Sequence, residues 1–222
     1  MFYCVRPMRR EDVVQVKEID QEAFPTQLPP PDYRRELQNQ LARLMVVCDD
    51  DKTAEKPEVP AVPTRGIAGL LARIKRLSRH NHFFNNHLNQ AGNQYIAGFA
   101  GIWAIADEAH ITNIAVRKSY QRQGIGELLM ISIIDLAAEL KADVVTLEMR
   151  ASNTPARSLY QKFGFAEAGL HHGYYTDDRE DAIIMTTESI TSASFRARLQ
   201  RLKQAHFQKH GTSNNLLPEI RA

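Results

Sequence analysis

Two glycines stand one residue apart in the segment QRQGIG, residues 121–126, directly before a strongly apolar run. Glycine loses more backbone freedom on folding than any other residue, so the pair indicates a local need. If a helix begins here, successive backbone N–H groups would face one concavity at its positive end, where they can hold phosphate groups. We therefore predict a phosphate-binding turn built from Arg122, Gln123, Gly124, Ile125, Gly126 and Glu127.

The glycine turn has competing interpretations. A P-loop requires Gly-Lys-Ser/Thr after its glycines, and Glu127–Leu128 follows here, which excludes it. A dinucleotide-binding fingerprint requires a third glycine where this chain has Leu129, and an early strand that leads into the turn. A tight strand-to-helix connection that binds no ligand stays open on these residues alone.

Glu148 lies between Leu147 and Met149 in the segment DVVTLEMR, which is otherwise mainly apolar at its centre. Apolar surroundings favour the neutral form of a carboxyl group and so make its carboxylate a stronger base. Such a base could take the proton from an attacking amine. A side chain that points into solvent at a strand end fits the pattern equally well, so the strand alone leaves both interpretations open.

Asn153 and Tyr160 are seven residues apart, which is two turns of a helix, so both side chains should project from one face. On that face the Asn153 amide could bond to a ligand and the Tyr160 hydroxyl could reach a leaving group. A phenol with an ordinary pKa of ~10 is a weak acid, so Tyr160 could orient that group more than protonate it. The alternative is a core tyrosine within LYQKFGF.

These candidates need a scaffold that brings a turn, a strand and a helix together. Residues 95–188 contain a strand hairpin, the glycine turn with a long apolar helix, and three further strands around a second helix. This order predicts a mixed α/β fold, in which a central mixed sheet is flanked by helices. We expect one domain over residues 1–189 to carry the chemistry.

Two segments stand outside this pattern. A proline-rich stretch and a basic amphipathic segment predict an insertion at about 51–94, between two strands of the fold. Residues 190–222 predict a basic helical tail with a flexible end. The basic segments 65–79 and 196–209 contain no acid, which raises ribosome or RNA contact as a hypothesis, with a solvated surface as the plainer alternative.

Composition narrows the class of protein. The 222 residues carry a formal net charge of +2 with 24% charged residues, so the average charge does not mark a nucleic-acid binder. We find neither a signal peptide nor an apolar run long enough to span a membrane, and Cys4 and Cys48 share no spacing motif. These features predict a cytoplasmic protein. The histidine-rich segment HNHFFNNH lacks nearby cysteines and carboxylates, so we predict no metal site.

Five motifs then occur in a recognisable order: NIAV, YQRQGIG, LEMRASN, SLYQKFGF and YYTDDREDAIIM, from about Asn113 to Met185. In this order and spacing they resemble the GNAT acetyltransferase superfamily, and within it the bacterial ribosomal-protein-alanine N-acetyltransferases. The weaker segments FYCVRPMRREDV and EAFP fit the first strand and substrate loop of the same family.

The resemblance implies acetyl-coenzyme A as co-substrate, no metal, and the N-terminal amine of a protein as acceptor, most closely the N-terminal alanine of a small-subunit ribosomal protein. It implies that Glu148 is the general base, directly or through a water, and that Tyr160 is the general acid. It further assigns Asn153 to the pantetheine arm. The remaining implied coenzyme contacts, through backbone groups that also face the oxyanion, are Ile114, Ala115 and Val116.

The resemblance also implies a peptide groove flanked by Phe24, Pro25, Tyr174 and Tyr175. One departure is Glu127, where related sequences often carry a basic residue, because a carboxylate beside a diphosphate is unfavourable unless its side chain turns away. Two other functions stay open: a GNAT enzyme that acts on a lysine or a small-molecule amine, and a catalytically silent acyl-coenzyme A-binding module.

Overall fold

The computed structural model describes residues 3–26, 29–53 and 94–211. Most of the predicted insertion at 51–94, including the basic segment 65–79 and the histidine-rich segment, lies outside these residues. The end of the predicted tail, after residue 211, also lies outside them.

The described residues contain one seven-stranded sheet with the spatial order β1-β2-β3-β4-β5-β7-β6. Neighbouring strands pair antiparallel except for β4 and β5, which are parallel, so the sheet is mixed as predicted. The strands are β1 Tyr3–Pro7, β2 Ala42–Thr53, β3 Gln94–Ile105, β4 Glu108–Val116, β5 Val144–Arg150, β6 Phe165–His171 and β7 Ala182–Thr187.

Helices pack on both faces of this sheet. The helices are α1 Val13–Ala23, α2 Tyr33–Glu36, α3 Ile125–Glu139, α4 Thr154–Lys162 and α5 Ala193–His210, with short 3-10 turns at Arg10–Asp12 and Lys118–Tyr120. Val46 and Val47 show the two layers: Val46 joins a cluster with α1, and Val47 joins the larger cluster with α3. Adjacent strand residues point to opposite faces, so β2 supplies both cores. These features confirm the predicted mixed α/β class.

The parallel pair β4–β5 is short. Only Glu108–Ile111 pairs with Val144–Leu147, although β4 continues to Val116 and β5 to Arg150. The β3–β4 register shifts after Gly101, which leaves Thr112 as an extra residue in β4. Such a bulge bends its strand. Consequently the two strands separate beyond Ile111 and Leu147 and leave a gap in the middle of the sheet.

Gly101 makes this bulge possible. A Cβ at this position would lie 2.7 Å from both the Leu44 side chain and Asn113 Oδ1, and 2.9 Å from Thr112 Oγ1. These contacts are closer than real Cβ atoms tolerate, so the close approach of the three strands requires a glycine here.

Strand β2 extends into the predicted insertion. It continues through the three aspartates after Cys48 to Thr53, where it pairs with Gln94 of β3. Asp49 is fully buried and accepts a 2.7 Å hydrogen bond from the Tyr120 hydroxyl, which also accepts a 2.8 Å bond from Lys52 Nζ. These hydrogen bonds stabilise the buried Asp49 carboxylate, which would be unfavourable inside a strand without polar partners.

The predicted tail contains an amphipathic helix, α5. Ser192 caps its first turn by accepting a hydrogen bond from Phe195 N. Phe195 and Leu199 are buried in the larger core, and Lys203 forms a 2.6 Å ion pair with Asp135 on α3. Helix α5 is therefore packed on the domain along α3.

No helix within the three described ranges combines the length and the apolar character needed to cross a membrane. Within the same ranges, we find no group of three His, Cys, Asp or Glu side chains close enough together to hold a metal ion.

Candidate active site

A cavity of about 530 Å³ opens where β4 and β5 separate. Its walls come from these two strands, from α4, from the loop after α1 and from the loop between β6 and β7. The predicted site residues that line it are Phe24, Pro25, Ile114, Glu148, Asn153, Tyr160, Tyr174 and Tyr175. The strand divergence therefore brings together residues that lie up to about 150 positions apart in the chain.

Glu148 faces this cavity from β5 with its side chain 22% exposed. The sequence pattern predicted apolar surroundings, but the structure supplies a polar partner: His110 Nε2 on β4 lies 3.0 Å from Glu148 Oε2. The difference arises because the parallel register sets His110 opposite Thr146, two residues before Glu148 on the same face of β5. Glu148 thus belongs to a pair with a histidine.

Polar contacts on both sides hold the His110 ring. Its Nδ1 lies 2.9 Å from the Thr146 hydroxyl oxygen, and that hydroxyl donates to Glu108. Its Nε2 faces the Glu148 carboxylate. The donor and acceptor roles of the two ring nitrogens depend on the tautomer, but Thr146 and Glu148 together fix the orientation of the ring.

Tyr160 and Asn153 both reach the cavity from α4, as their spacing predicted. Tyr160 is 6% exposed and packs on Phe165, and no described residue hydrogen-bonds to its hydroxyl. Burial, and next the nearby Tyr175, raise the pKa of Tyr160, so the phenol is protonated across the neutral range. Asn153 also caps α4, since its Oδ1 accepts from Ala156 N at 3.2 Å. Its side-chain amide N–H groups are therefore the donors it can offer to a ligand.

The glycine turn leads into α3 as predicted. Gly124 is the N-cap of this helix. Its φ of +87° is a left-handed backbone conformation that is energetically unfavourable for residues other than glycine. No described residue accepts a hydrogen bond from the N–H groups of Ile125, Gly126 or Glu127, which the first turn of a helix leaves free. Ile125 is itself a core residue at 1% exposure, so only its backbone can serve a ligand.

Gly126 and Gln123 have local structural partners. A Cβ at Gly126 would lie 3.4 Å from Leu159 on α4, which is ordinary contact, so a small residue suffices there. The Gln123 side chain accepts from the Tyr3 hydroxyl at 2.8 Å and donates to Ser119 O at 3.0 Å. Arg122 is exposed with φ of +63°.

Glu127 turns its carboxylate away from the turn. Lys162 Nζ on α4 binds Oε1 at 2.7 Å, and His206 Nδ1 on α5 lies 3.7 Å from Oε2. Although partial burial opposes it, the hydrogen bond and the charge of Lys162 hold the pKa of Glu127 below its ordinary value. The departure from a basic residue at this position is therefore compensated by Lys162.

The predicted backbone contacts on β4 lie at the edge of the gap. Ile114 lines the cavity, whereas the Ala115 side chain is buried in the opposite core with α1 and Val116 packs against the larger core. Beyond Ile111, β4 has no pairing to β5 among the described residues. Ala115 and Val116 could therefore serve a ligand only through backbone groups.

The opposite wall is held by one arginine. Arg150, at the end of β5, binds Asp177 at 2.6 Å, Asp178 at 2.9 Å and Glu180 at 3.0 Å, and its guanidinium lies 4.0 Å from the centre of the Tyr175 ring. These contacts fix the loop between β6 and β7 over the cavity. Strand β6 itself ends at His171, so Tyr174 and Tyr175 lie in this loop.

The aromatic residues predicted for the peptide groove stand on this side. Tyr174 is 48% exposed and meets Tyr175 edge to face, with ring centres 5.2 Å apart. Burial raises the pKa of Tyr175 to about 12. Asp177 also hydrogen-bonds to Thr26, the residue after Phe24–Pro25, and its bonds to Arg150 and Thr26 hold its pKa well below the ordinary value. The two loops are thereby linked across the mouth of the cavity.

Sequence reasoning missed several residues of this cavity: His110, Trp103, Arg150 and Asp177. His110 could have been found from strand alternation, because Glu108 and His110 share a face of β4 while Thr146 and Glu148 share a face of β5. The loop residues gave no such signal, since their partners are distant in sequence. Trp103 is partly exposed and donates from Nε1 to Glu36 at 2.9 Å.

A mixed sheet whose parallel central strands diverge, with a glycine turn and helix after the first of them, defines an acyltransferase-type α/β protein. Residues 13–165 match the Acetyltransferase (GNAT) family. This match covers more than half of the chain, and the chain belongs to that family.

Individual relatives narrow the comparison. The chain is 47% identical over 91 residues to a Bacillus subtilis protein, covering 41% of this chain and 60% of that protein. It is 45% identical over 105 residues to the [ribosomal protein bS18]-alanine N-acetyltransferase of Escherichia coli strain K12, covering 46% of this chain and 70% of that enzyme. The crystal structure of the ribosomal-protein-S18-alanine N-acetyltransferase from Escherichia coli superposes with a TM-score of 0.58 at 24% identity, over 86% of this chain and 97% of that one. At this identity the superposition shows a shared fold.

Proposed function

We propose that this chain transfers an acetyl group from acetyl-coenzyme A to the N-terminal α-amine of a protein, and that its substrate is the N-terminal alanine of a small-subunit ribosomal protein. The observation that carries the proposal is the cavity between the diverging ends of β4 and β5, which holds a carboxylate–histidine pair and a buried phenol. The resemblance to the E. coli bS18-alanine enzyme supports the choice of acceptor.

The residues at the glycine turn fit the phosphate groups of the donor. Gly124 presents backbone without a side chain, and the N–H groups of Ile125, Gly126 and Glu127 have no acceptor among the described residues. The positive end of α3 adds to their attraction for an anion. In this proposal the pantetheine arm follows the gap between the strands, where Asn153 and the backbone of Ile114, Ala115 and Val116 can bond to it.

The chemistry requires two proton transfers. An α-amine has an ordinary pKa of ~7.7–8.0, so the acceptor must lose a proton to attack, and a departing thiolate of pKa ~8.5 must gain one. We assign the first role to Glu148, which His110 Nε2 contacts at 3.0 Å, and the second to Tyr160, whose raised pKa keeps a proton on its hydroxyl. Backbone N–H groups at the β4 edge would stabilise the oxyanion formed between these steps.

The acceptor would enter from the side of the two linked loops. Phe24, Pro25, Tyr174 and Tyr175 offer apolar and aromatic walls to an extended chain end. Asp177 stands at the same mouth, and a carboxylate there suits an incoming ammonium group. These features favour a peptide N-terminus over a bulky folded surface.

The proposal is tested by mass spectrometry of peptides incubated with acetyl-coenzyme A. One peptide begins with a free alanine and contains no lysine; its matched partner has a blocked N-terminus and one free lysine. We expect acetylation of the first to exceed that of the second. Equal or reversed rates would overturn the assignment to N-terminal amines, and a panel that varies the first two residues then tests the preference for alanine.

Two other functions are separated by the same assay. A GNAT enzyme for lysine or small-molecule amines would modify the blocked peptide or free amines at higher rates. A silent acyl-coenzyme A-binding module would bind coenzyme A and acetylate nothing. The joint presence of Glu148, His110 and Tyr160 at one cavity argues against the silent module, which has no use for a proton-transferring set.

We further propose that the protein works in the cytoplasm, where ribosomal proteins are made, and that its basic segments 65–79 and 196–209 contact the ribosome or its RNA. On α5, Arg196 and Arg201 are exposed cations that could serve this contact. Deleting residues 55–92 should leave acetylation of short peptides near the wild-type rate and weaken salt-sensitive ribosome association. Loss of peptide acetylation in a folded deletion variant would instead assign the insertion to the active site.

A further inference from the structure

Helix α5 lies against the end of α3 that carries the glycine turn. Three contacts show that the two helices run in opposite directions: Lys203 with Asp135, then His206 with Glu127, then the ring of His210 with Gly124. The last turn of α5 therefore stands directly beside the first turn of α3, where the proposed function puts the diphosphate of acetyl-coenzyme A.

His210 sits on the bare backbone of Gly124. The position that a Cβ would take at Gly124 lies 2.6 Å from His210 Nε2, 2.8 Å from Cε1 and 2.9 Å from Cδ2. The ring nitrogen is thus the atom of His210 that lies nearest to the turn. A phosphate group bound by the free N–H groups of this turn would come within reach of that nitrogen.

His206 provides an independent sign that this end of α3 is built for a polar ligand. Its side chain is 6% exposed, and its Nδ1 has no hydrogen-bond partner among the described residues, lying 3.7 Å from the nearest oxygen of Glu127. Its ring lies over that of His210, with centres 4.8 Å apart and planes inclined by 33°. Buried polar atoms are normally bonded, so this nitrogen, which has only the Glu127 carboxylate at 3.7 Å, leaves a place for a further polar partner at this end of α3.

The charges around the two rings leave His210 as the available donor. Glu127 and Lys162 already pair at 2.7 Å. Burial, and next the neighbouring His210, lower the pKa of His206, so His206 is neutral at pH 7. Glu127 and Lys162 act on the His206 ring from α3 and α4, and His210 lies beside that ring on α5.

We propose that α5 completes the coenzyme site and that His210 Nε2 donates a hydrogen bond to the diphosphate of acetyl-coenzyme A. This inference rests on the proposed function and goes beyond it, since it assigns a coenzyme contact to the tail, outside the residues matched by the family. It also gives the tail a role in fixing the donor, because Phe195 and Leu199 anchor α5 in the core while His210 reaches the turn.

The test is direct binding of coenzyme A, measured by calorimetry on the full chain. Loss of one charge-assisted hydrogen bond in His210→Ala should raise the dissociation constant by about tenfold. His210→Gln retains an amide donor of similar reach and should recover part of the affinity. Gln208→Ala, two residues away and exposed, is the matched control and should bind like the wild type.

A second measurement separates a phosphate contact from general damage to α5. S-acetylpantetheine lacks the diphosphate, so His210→Ala should leave kcat/KM for this donor unchanged while lowering it for acetyl-coenzyme A. Equal losses with both donors, or unchanged or tighter coenzyme A binding in His210→Ala, would overturn the contact. If the wild-type protein itself fails to bind coenzyme A, the proposed function fails as well, so the two failures are distinguishable.

Discussion

The two walls of the cavity are built in different ways. The donor wall comes from one continuous part of the chain, Asn113–Tyr160, and uses backbone N–H groups, a helix end and two strands that part at a bulge. The acceptor wall is assembled from Phe24–Thr26, Trp103 and Tyr174–Asp177, three segments that meet only in the folded protein. The donor wall depends on backbone geometry, whereas the acceptor wall depends on ion pairs between side chains.

The two walls therefore differ in how sensitive their binding groups are to changes of side chain. Backbone donors at a helix end change little when side chains change, so the donor wall suits a coenzyme that is always the same. The ion pairs around Arg150 are partly exposed, and such pairs contribute modestly and weaken with salt. The acceptor wall can therefore diverge among relatives while the donor wall is retained.

The largest effect should come from the base where the two walls meet. We expect Glu148→Gln to lower kcat by roughly ten- to a thousandfold, because an amide of the same shape cannot take the amine proton. Coenzyme A binding should persist, since Glu148 is not on the turn that holds the phosphates. Steady-state kinetics with calorimetry checks both, and unchanged turnover between pH 6 and 9 would remove Glu148 from the mechanism.

On the donor wall, a substitution that disturbs the backbone of the glycine turn should weaken coenzyme A binding. In Gly124→Val a branched side chain would need φ of +87° and would collide with His210, whose nearest atom is 2.6 Å from the Cβ position. A backbone strain of this kind costs about 2 kcal/mol of folding stability. The chain can relieve the strain only by distorting the turn that holds the phosphates, so coenzyme A affinity should fall by about tenfold or more. Calorimetry on the folded variant measures it. Wild-type affinity would return Gly124 to a purely structural role.

The acceptor wall should respond in KM for the peptide alone. Replacing Arg150 by methionine removes the contacts to Asp177, Asp178 and Glu180 and so releases the loop that carries Tyr174 and Tyr175. We expect KM for the alanine peptide to rise by about tenfold, as for the loss of a few weak contacts, with KM for acetyl-coenzyme A unchanged. Arg157→Met, outside the cavity lining, is the matched control. Equal changes in both KM values would contradict the division into two walls.

The contrast between the two walls also explains which features of the fold and the site could be predicted from the sequence. The fold class, the glycine turn, and the shared face of Asn153 and Tyr160 follow from local patterns: hydrophobic period, glycine spacing and helical repeat. The strand divergence does not, because it depends on a bulge at Thr112 that Gly101 on the neighbouring strand permits. A register between two strands is a property of the pair.

The acceptor wall could not be predicted from the sequence for the same reason. Strand alternation indicates the faces on which His110 and Glu148 lie, but their contact depends on the β4–β5 register. Arg150 could be read from the sequence as an arginine at a strand end, but its acidic partners follow 27 residues or more later. Asp177 likewise meets Thr26 only after both loops fold against the sheet. The resemblance to known enzymes predicted the aromatic residues of this wall. The charged contacts that hold them depend on the three-dimensional fold and could not be predicted from the sequence.

A smaller effect is expected for His110, which supports Glu148 from the donor strand. His110→Asn removes the imidazole that lies 3.0 Å from the Glu148 carboxylate, so Glu148 should act as a base with an altered pH dependence. We expect kcat to fall about tenfold, within the lower part of the range for proton-transfer groups. The pH profile of kcat should shift while KM for acetyl-coenzyme A stays constant. A uniform loss of activity at every pH would indicate a structural role only.

The smallest effect concerns stability, and it should arise at His206 of α5, which lies beside Glu127 at the first turn of α3. Burial lowers the pKa of His206 in the folded protein below the ~6.5 of an unfolded histidine. Between these two values the unfolded chain binds the proton more readily, so His206 contributes stability above pH ~6.5 that is lost as pH falls through this window.

On the acceptor wall the pKa values of Asp177 and Glu180 are lowered by their bonds, to Arg150 and Ser152 respectively, so both carboxylates stay ionised there. Thermal denaturation of wild type and His206→Gln at pH 7.5 and 5.5 isolates the contribution of His206, because the glutamine does not titrate. Wild type should lose about 2 °C more in Tm than the variant on acidification. An equal loss in both proteins would mean that the acid sensitivity comes from other groups and that the buried imidazole beside Glu127 is not the titrating element.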